Sequence, residues 1–350
     1  MKNTNKKYIA LDNFIDKALY NKKSGFYMKK NPIGKNGDFI TSPNISILFN
    51  EMIAIWVISF WEYLKCPKKI NLVDMGGGNG EMVYQMLKTF NSFPLFKNSC
   101  KTYIFEKSPL LKKLQKEKLK KFNVSWLKNL KHIKKYPTLY LANEFFDALP
   151  VKQFLKKKKS WFERYVKVEN NNYKYCHLNF DIKKLESKIG INISKNQKFI
   201  EFSPLQFQYL REIAETIKKN DGGLLIIDYG NKKNFMKDTI QSVYKHKKNE
   251  LFNNVGGSDI THHINFDLIS KIANNFKLKC SNIITQSKFL INLGILKRAE
   301  IISKNLSFSK KTNIYYRLKR LIDKNQMGEL FKVILLTKTN TFFNKGFESD

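Results

Sequence analysis

The chain has 350 residues, 42% of them hydrophobic, enough to build a core for one large domain with insertions or two modest domains, which excludes a disordered polymer. Its formal charge of +35, from 64 Lys and Arg against 29 Asp and Glu, would ordinarily point to nucleic acid or an anionic membrane surface. The excess is mostly lysine scattered along the whole chain beside much Asn and Ile, and it reads as a solvated surface of biased composition rather than one basic face.

Cys66, Cys100, Cys176 and Cys280 lie far apart, with no CxxC pair and no Cys-His cluster at metal-ligand spacing, as expected of reduced thiols in an intracellular protein. The opening MKNTNKKYIALDNF has neither the apolar run of a secretory signal nor the Arg and Ser bias of a transit peptide, so the cytoplasm is the expected location. The most apolar stretch, Ile53 to Trp61, is about nine residues against about twenty for a membrane span, so no span is expected.

In chain order, residues 1–66 are expected to form a helical extension, with two helical stretches separated by the loop SGFYMKKNPIGKNGDFITSPNIS. The helix after Ser42-Pro43 is apolar nearly all round and should pack on the main body. From residue 67 onward the pattern is that of one α/β domain. Ile70 to Met75 is a short apolar strand, the glycines follow, and Glu81 to Phe90 repeats its apolar residues at helical spacing. A strand at Thr102 to Glu106, a lysine-rich helix from about 109 to 121 and strands at Asn123 to Trp126 and Thr138 to Asn143 come next. Between about 151 and 182, Val151 to Leu155, Trp161 to Val168 and Tyr173 to Phe180 read as an inserted antiparallel β-meander, with the lysine run 156–159 as a polar hairpin tip. A helix at Pro204 to Lys219 precedes strands at Gly223 to Asp228, Ser281 to Gln286 and Leu330 to Thr337. Strands alternating with helices predict a doubly wound, Rossmann-like, mainly parallel sheet of about seven strands.

The run Asp74-Met75-Gly76-Gly77-Gly78-Asn79-Gly80 joins a strand to a helix, where glycines let a ligand approach the backbone and the helix start offers free N–H groups. Gly76, Gly78 and Gly80 give GxGxG and not the dinucleotide spacing GxGxxG; the alternative is a tight turn that merely needs positive φ. Glu106 ends the next strand, where a carboxylate can accept hydrogen bonds from both ribose hydroxyls, or can simply cap the helix starting near Pro109. Asp74 can bind the amino group of a cationic methionine moiety or serve the turn itself. Together, Asp74 and Glu106 favour a positively charged sulfonium cofactor over a diphosphate. Asn143-Glu144-Phe145-Phe146-Asp147-Ala148-Leu149-Pro150 follows an apolar strand at the carboxyl edge of the sheet and suits an acceptor site. Ile227-Asp228-Tyr229-Gly230 ends a further strand. In Gly257 to His263 the adjacent His262 and His263 point different ways, which argues against zinc, so no metal is expected.

Taken together, Ala18-Leu19-Tyr20 with Gly25-Phe26-Tyr27, Gly37 to Pro43, Glu51-Met52-Ile53-Ala54, Asn143 to Val151, Ile227 to Gly230, Asp259 to His262, and Thr285-Gln286 with Phe289-Leu290 and Leu293-Gly294-Ile295 resemble the MidA-type methyltransferases. That family includes a mitochondrial complex I assembly factor described as a protein arginine methyltransferase. The resemblance implies a class I fold that uses S-adenosyl-L-methionine, with Asp74 and the glycines at 76, 78 and 80 under the donor's methionine part and Glu106 on its ribose. It also implies a protein acceptor, such as a respiratory complex I subunit. The family's ExGPGxG appears here with Asp74 and Gly77 in the Glu and Pro places.

For an arginine acceptor, carboxylates near the methyl group should orient the guanidinium and help it lose a proton. Glu144 is the first choice, Asp147 the second, and Asn143 adjoins them. Methylation of a nucleic-acid base ranks lower, because the two prolines of the base-amine motif are missing. A different class of function, an assembly or binding factor that keeps the fold with little chemistry, also fits the altered glycine run.

Overall fold

Four apolar runs form neighbouring parallel strands in the computed structural model of this chain, in the spatial order Cys100–Phe105, Ile70–Met75, Thr138–Asn143, Gly222–Asn231. The structure describes residues 7–29, 41–170, 172–233 and 235–348. Val124–Leu127 extends the sheet in parallel beyond Cys100–Phe105. At the other side Phe331–Lys338 runs antiparallel to Gly222–Asn231 and is followed outward by Leu278–Cys280. Among the described residues, the short strands Ile264–Asn265 and Ile284–Thr285 bring the sheet to nine strands, seven of them on one continuous path. Two-residue strands show no periodicity, which is why the sequence pattern yields about seven.

Alternation along these strands loads both faces. Leu72, Ile104, Leu141, Leu225, Ile227 and Val333 face the helix Ile47–Tyr63, whereas Val73, Met75, Tyr140, Ala142, Leu224 and Ile226 face helices Pro204–Asn220 and Phe266–Asn275. A strand buried on both sides has to be apolar at every position, as LVDM and LYLA nearly are. Ile47–Tyr63 starts where the Ser46 hydroxyl caps the Leu48 N–H, and it is buried nearly all round between the sheet and the helices Ile295–Ser303 and Phe308–Ile322. Each fully buried Leu, Ile or Phe on it contributes about 1.5–3 kcal/mol. Among the described residues no helix is long and apolar enough to cross a membrane.

The meander Lys152–Lys157, Ser160–Glu169 and Asn172–Phe180 is antiparallel, and Phe199–Phe202 joins its near edge. The first described element is a strand rather than a helix: Lys7–Ala10 pairs with Tyr165 to Val168. Ser160–Glu169 outruns Lys152–Lys157, and the backbone groups left over need partners, which this remote segment supplies. The strand expected from Ser281 to Gln286 is interrupted. The Ser281 N–H donates to the Leu335 carbonyl while its hydroxyl accepts the Leu335 N–H, and the Thr285 hydroxyl caps a helix beginning at Gln286. A small sheet of Gln241–Tyr244, Lys247–Asn249 and Asp259–Thr261 folds over the carboxyl ends of the central strands.

Candidate active site

At the carboxyl ends of the four central strands stand Glu106, Asp74, Asn143 with Glu144, and Asp228, so parallel pairing alone draws acids from distant parts of the chain to one edge. A cavity of about 470 Å³ opens there. Of the residues singled out in the sequence, Asp74, Gly76, Gly78, Glu106, Asn143, Glu144 and Asp147 line it. Gly80 does not; it precedes helix Glu81–Phe90 with φ +79°, packed against Gln115. The stretch Gly37 to Ile40 lies outside the described residues.

Gly76 has φ +72°, and a Cβ there would come 2.7 Å from the Phe145 ring, so the turn needs glycine for both conformation and close approach. Gln115, fully buried, holds the turn in place. Its amide nitrogen donates to the Gly78 carbonyl at 2.8 Å and to Glu106 Oε2 at 3.2 Å, and its oxygen accepts the Trp126 indole N–H at 2.8 Å. Glu106 also accepts the Ser108 N–H at 2.9 Å. Burial raises the Glu106 carboxyl above its ordinary value, with these donors pulling it back. Asp74 has fewer supports: its Oδ2 has no hydrogen-bond partner, and burial, reinforced by the charge of Glu106, pushes its carboxyl up to about 7.

Glu144 sits at the strand end with φ +51°, a left-handed backbone that costs a non-glycine residue free energy and marks a position held by its surroundings. Its N–H donates to the Ile227 carbonyl at 2.9 Å. Its Oε1 accepts the Ser42 N–H at 2.9 Å and the Asn143 amide at 3.2 Å. Burial nonetheless raises its carboxyl to about 7. Asp147, beside the Tyr229 hydroxyl, is raised by burial to about 6. Asp228 fixes this loop from beneath: Oδ2 accepts the N–H groups of Phe146 at 3.1 Å and Asp147 at 3.3 Å, and Oδ1 that of Tyr229 at 2.9 Å. Its own carboxyl is pushed well up by burial and by the charges of Asp147 and Glu144.

Among the described residues, none of Asp74, Glu106, Glu144, Asp147 and Asp228 forms an ion pair with lysine or arginine. In a chain of net charge +35 that is a pronounced local reversal. Buried carboxylates without a counter-ion are costly, and a cation entering the cavity relieves the cost. Aromatic walls add to the preference: Phe105, Phe145 and Tyr209 cluster with ring centroids 5.5–6.4 Å apart, and Tyr20 stacks on Tyr27 at 5.3 Å. The Tyr27 hydroxyl donates to Asp259 Oδ1 at 3.0 Å, and both residues line the cavity. Gln115, Ser42, Tyr27 and Asp259 therefore belong to the site although sequence reasoning assigns none of them a role; Tyr27, Ser42 and Asp259 fall inside the blocks that carry the family resemblance. Among the described residues no cluster of three or more His, Cys, Asp or Glu is placed to hold a metal ion.

Residues 52–284 match the family described as "Putative S-adenosyl-L-methionine-dependent methyltransferase". The chain belongs to this methyltransferase family. Among its relatives is the "Protein arginine methyltransferase NDUFAF7, mitochondrial" of Xenopus tropicalis, 27% identical over 93% of this chain and 81% of that protein. The human protein of the same name is 26% identical over 94% and 80%. The crystal structure of a Burkholderia thailandensis protein described as a "likely methyl transferase", bound to S-adenosyl-homocysteine, superposes with a TM-score of 0.80 at 21% identity, covering 98% of this chain and 89% of that one. The fold is thus that of the S-adenosylmethionine-dependent methyltransferases, a mixed sheet flanked by helices. The cytoplasmic location expected from the N-terminal composition is corrected: the relatives are designated mitochondrial. A missing compositional bias over fourteen residues does not fix a compartment.

The methyltransferase's cavity suits its donor, S-adenosyl-L-methionine. The unpartnered Asp74 Oδ2, the Glu106 carboxylate at the next strand end and the Cβ-free approach at Gly76 together match a ligand carrying positive charge and a ribose diol.

Proposed function

We propose that this methyltransferase transfers its methyl group to an arginine side chain of a protein, with a respiratory complex I subunit as the partner suggested by family resemblance. Support comes from one observation above all: half-buried Glu144 and buried Asp147, both without lysine or arginine partners among the described residues, line the same cavity as the glycine turn. We read the sheet as the doubly wound class I type, on its strand order, and residues 1–66 as an extension to a catalytic domain spanning 67–350.

The donor supplies a methyl group on a sulfonium, already activated toward displacement. What the chain must add is position and proton handling. Asp74, Gly76, Gly78 and Glu106 hold the donor side, while Gly80 and Gln115 shape the turn. Glu144 accepts N–H groups of the guanidinium and aims one nitrogen, with Asn143 and the Ser42 N–H fixing the carboxylate. Asp147, tied to Tyr229, takes a second N–H or the proton released. Carboxylates with pKa values of about 7 and 6 suit this work, being anionic when a cation is bound and able to accept a proton near neutrality.

The test is incubation with labelled S-adenosyl-L-methionine and a lysate of the source cells, with mass spectrometry of labelled bands. Methylarginine on a protein supports the reading, and label on nucleic acid overturns the acceptor assignment. Calorimetry with the donor separates the remaining alternative, because a chain that binds no donor is an assembly factor and not an enzyme.

A further inference from the structure

The helix Phe308–Ile322 carries an exposed ridge that leads out of the cavity. Arg320 lines the cavity mouth together with Met327 and Leu330. Stepping back four residues at a time gives Tyr316, Thr312 and Phe308, and residues at that spacing stand side by side on one helix face. Tyr316 is 64% exposed and Phe308 85% exposed, unusual for large aromatic side chains with no role in packing. Twelve residues of helix make the ridge about 18 Å long.

Its charge is equally one-sided. From Ser303 to Ile322 there are six cations, Lys304, Lys310, Lys311, Arg317, Lys319 and Arg320, and no Asp or Glu. Among the described residues, none of the six forms an ion pair. The ridge is therefore basic and aromatic, and it is continuous with a cavity that is acidic.

We propose that this ridge docks the segment flanking the methylated arginine, and that the segment is acidic and apolar. The inference rests on the protein-arginine reading of the cavity. An arginine enters the acidic cavity while acidic residues beside it meet Lys319 and Lys311, and an apolar side chain packs on Tyr316 and Phe308. At about 3.3 Å per extended residue the ridge spans five or six residues of such a segment. Opposite charges at the two ends make the fit directional, and a segment of reversed pattern is rejected at both places.

The probe is a pair of labelled fourteen-residue peptides with one central arginine. One carries Glu and Leu on its flanks, the other Lys and Leu, and binding is followed by fluorescence anisotropy on the full chain with S-adenosyl-homocysteine present. The acidic peptide should bind at least tenfold more tightly, and the double variant Phe308→Ala with Tyr316→Ala should lose about tenfold while its donor binding and melting temperature stay unchanged. A Lys319→Glu variant should shift preference toward the basic peptide. Equal binding of both peptides, or a double variant that binds the acidic peptide as the parent does, overturns the docking ridge. Tighter binding of a uridine oligomer that the same double variant abolishes also overturns it, in favour of RNA. Failure of the arginine reading shows separately: the acidic peptide then binds at the ridge, but no label transfers to its arginine.

Discussion

The backbone N–H of Ser42 donates to Glu144 Oε1 at 2.9 Å, linking the segment before helix Ile47–Tyr63 to the acid at the end of strand Thr138–Asn143. Two residues on, the Asn44 side chain accepts from Asn79 in the glycine turn at 2.7 Å. The stretch Thr41–Asn44 thus touches the glycine turn and Glu144 at once. Replacing Asn44 by Ala should raise the KM for donor a few-fold and lower kcat, with steady-state kinetics at two donor concentrations as the check; a change in neither removes this link from the mechanism.

Asp228 is the anchor of the Glu144–Asp147 loop. In Asp228→Ala three backbone N–H groups lose their acceptor, at about 1–3 kcal/mol for each one left buried and unsatisfied, partly offset by relief of charge repulsion. A net loss of about 2 kcal/mol is expected in chemical denaturation. Asp228→Asn should be milder in stability.

Several site carboxyls have raised pKa values: Asp74 and Glu144 at about 7, Asp147 at about 6. In the folded chain they keep protons that the unfolded chain has released, so stability falls as pH rises from about 4 to about 7. His262, buried and lowered to about 4, opposes this below its ordinary value of 6.5. Its contribution cancels when parent and Asp74→Asn are compared. The variant should show a shallower decline of melting temperature with pH. Stabilisation by S-adenosyl-L-methionine, a cation, should be larger at pH 8 than at pH 5 in the parent.

Gly76→Ala would place a methyl group 2.7 Å from the Phe145 ring at φ +72°. Both the conformation and the clash predict a loss of about 1–2 kcal/mol in stability and at least a tenfold loss in donor affinity. Calorimetric titration against the parent measures the second. Gly80→Ala, whose Cβ would meet Gln115 at 3.4 Å outside the cavity, should lose stability through its φ of +79° with a smaller effect on affinity.

Much of this site is legible in sequence because it is built from strand ends. Asp74, Glu106, Asn143 and Glu144 each follow an apolar run, and the parallel sheet then aligns runs with no further information. Partnerships across the chain are not legible in that way. Tyr27 and Asp259 are 232 residues apart, Ser42 and Glu144 102 apart, and nothing local in either segment specifies the other. Lys7–Ala10 likewise becomes a strand only because Ser160–Glu169 has an edge to offer. Gly80 shows the reverse error: its spacing matches its neighbours, yet the turn directs it toward Gln115 and away from the cavity.

The most direct test of the chemistry is single-turnover transfer from labelled S-adenosyl-L-methionine to the arginine of a protein acceptor, comparing the parent with Glu144→Gln. The glutamine keeps the shape and the bond to the Ser42 N–H but cannot take charge or a proton. A fall of about 10²–10⁴-fold in the transfer rate, with donor affinity within about threefold of the parent, is expected if Glu144 orients and deprotonates the guanidinium. Undiminished transfer by Glu144→Gln would contradict the assignment of the acceptor site to this strand end.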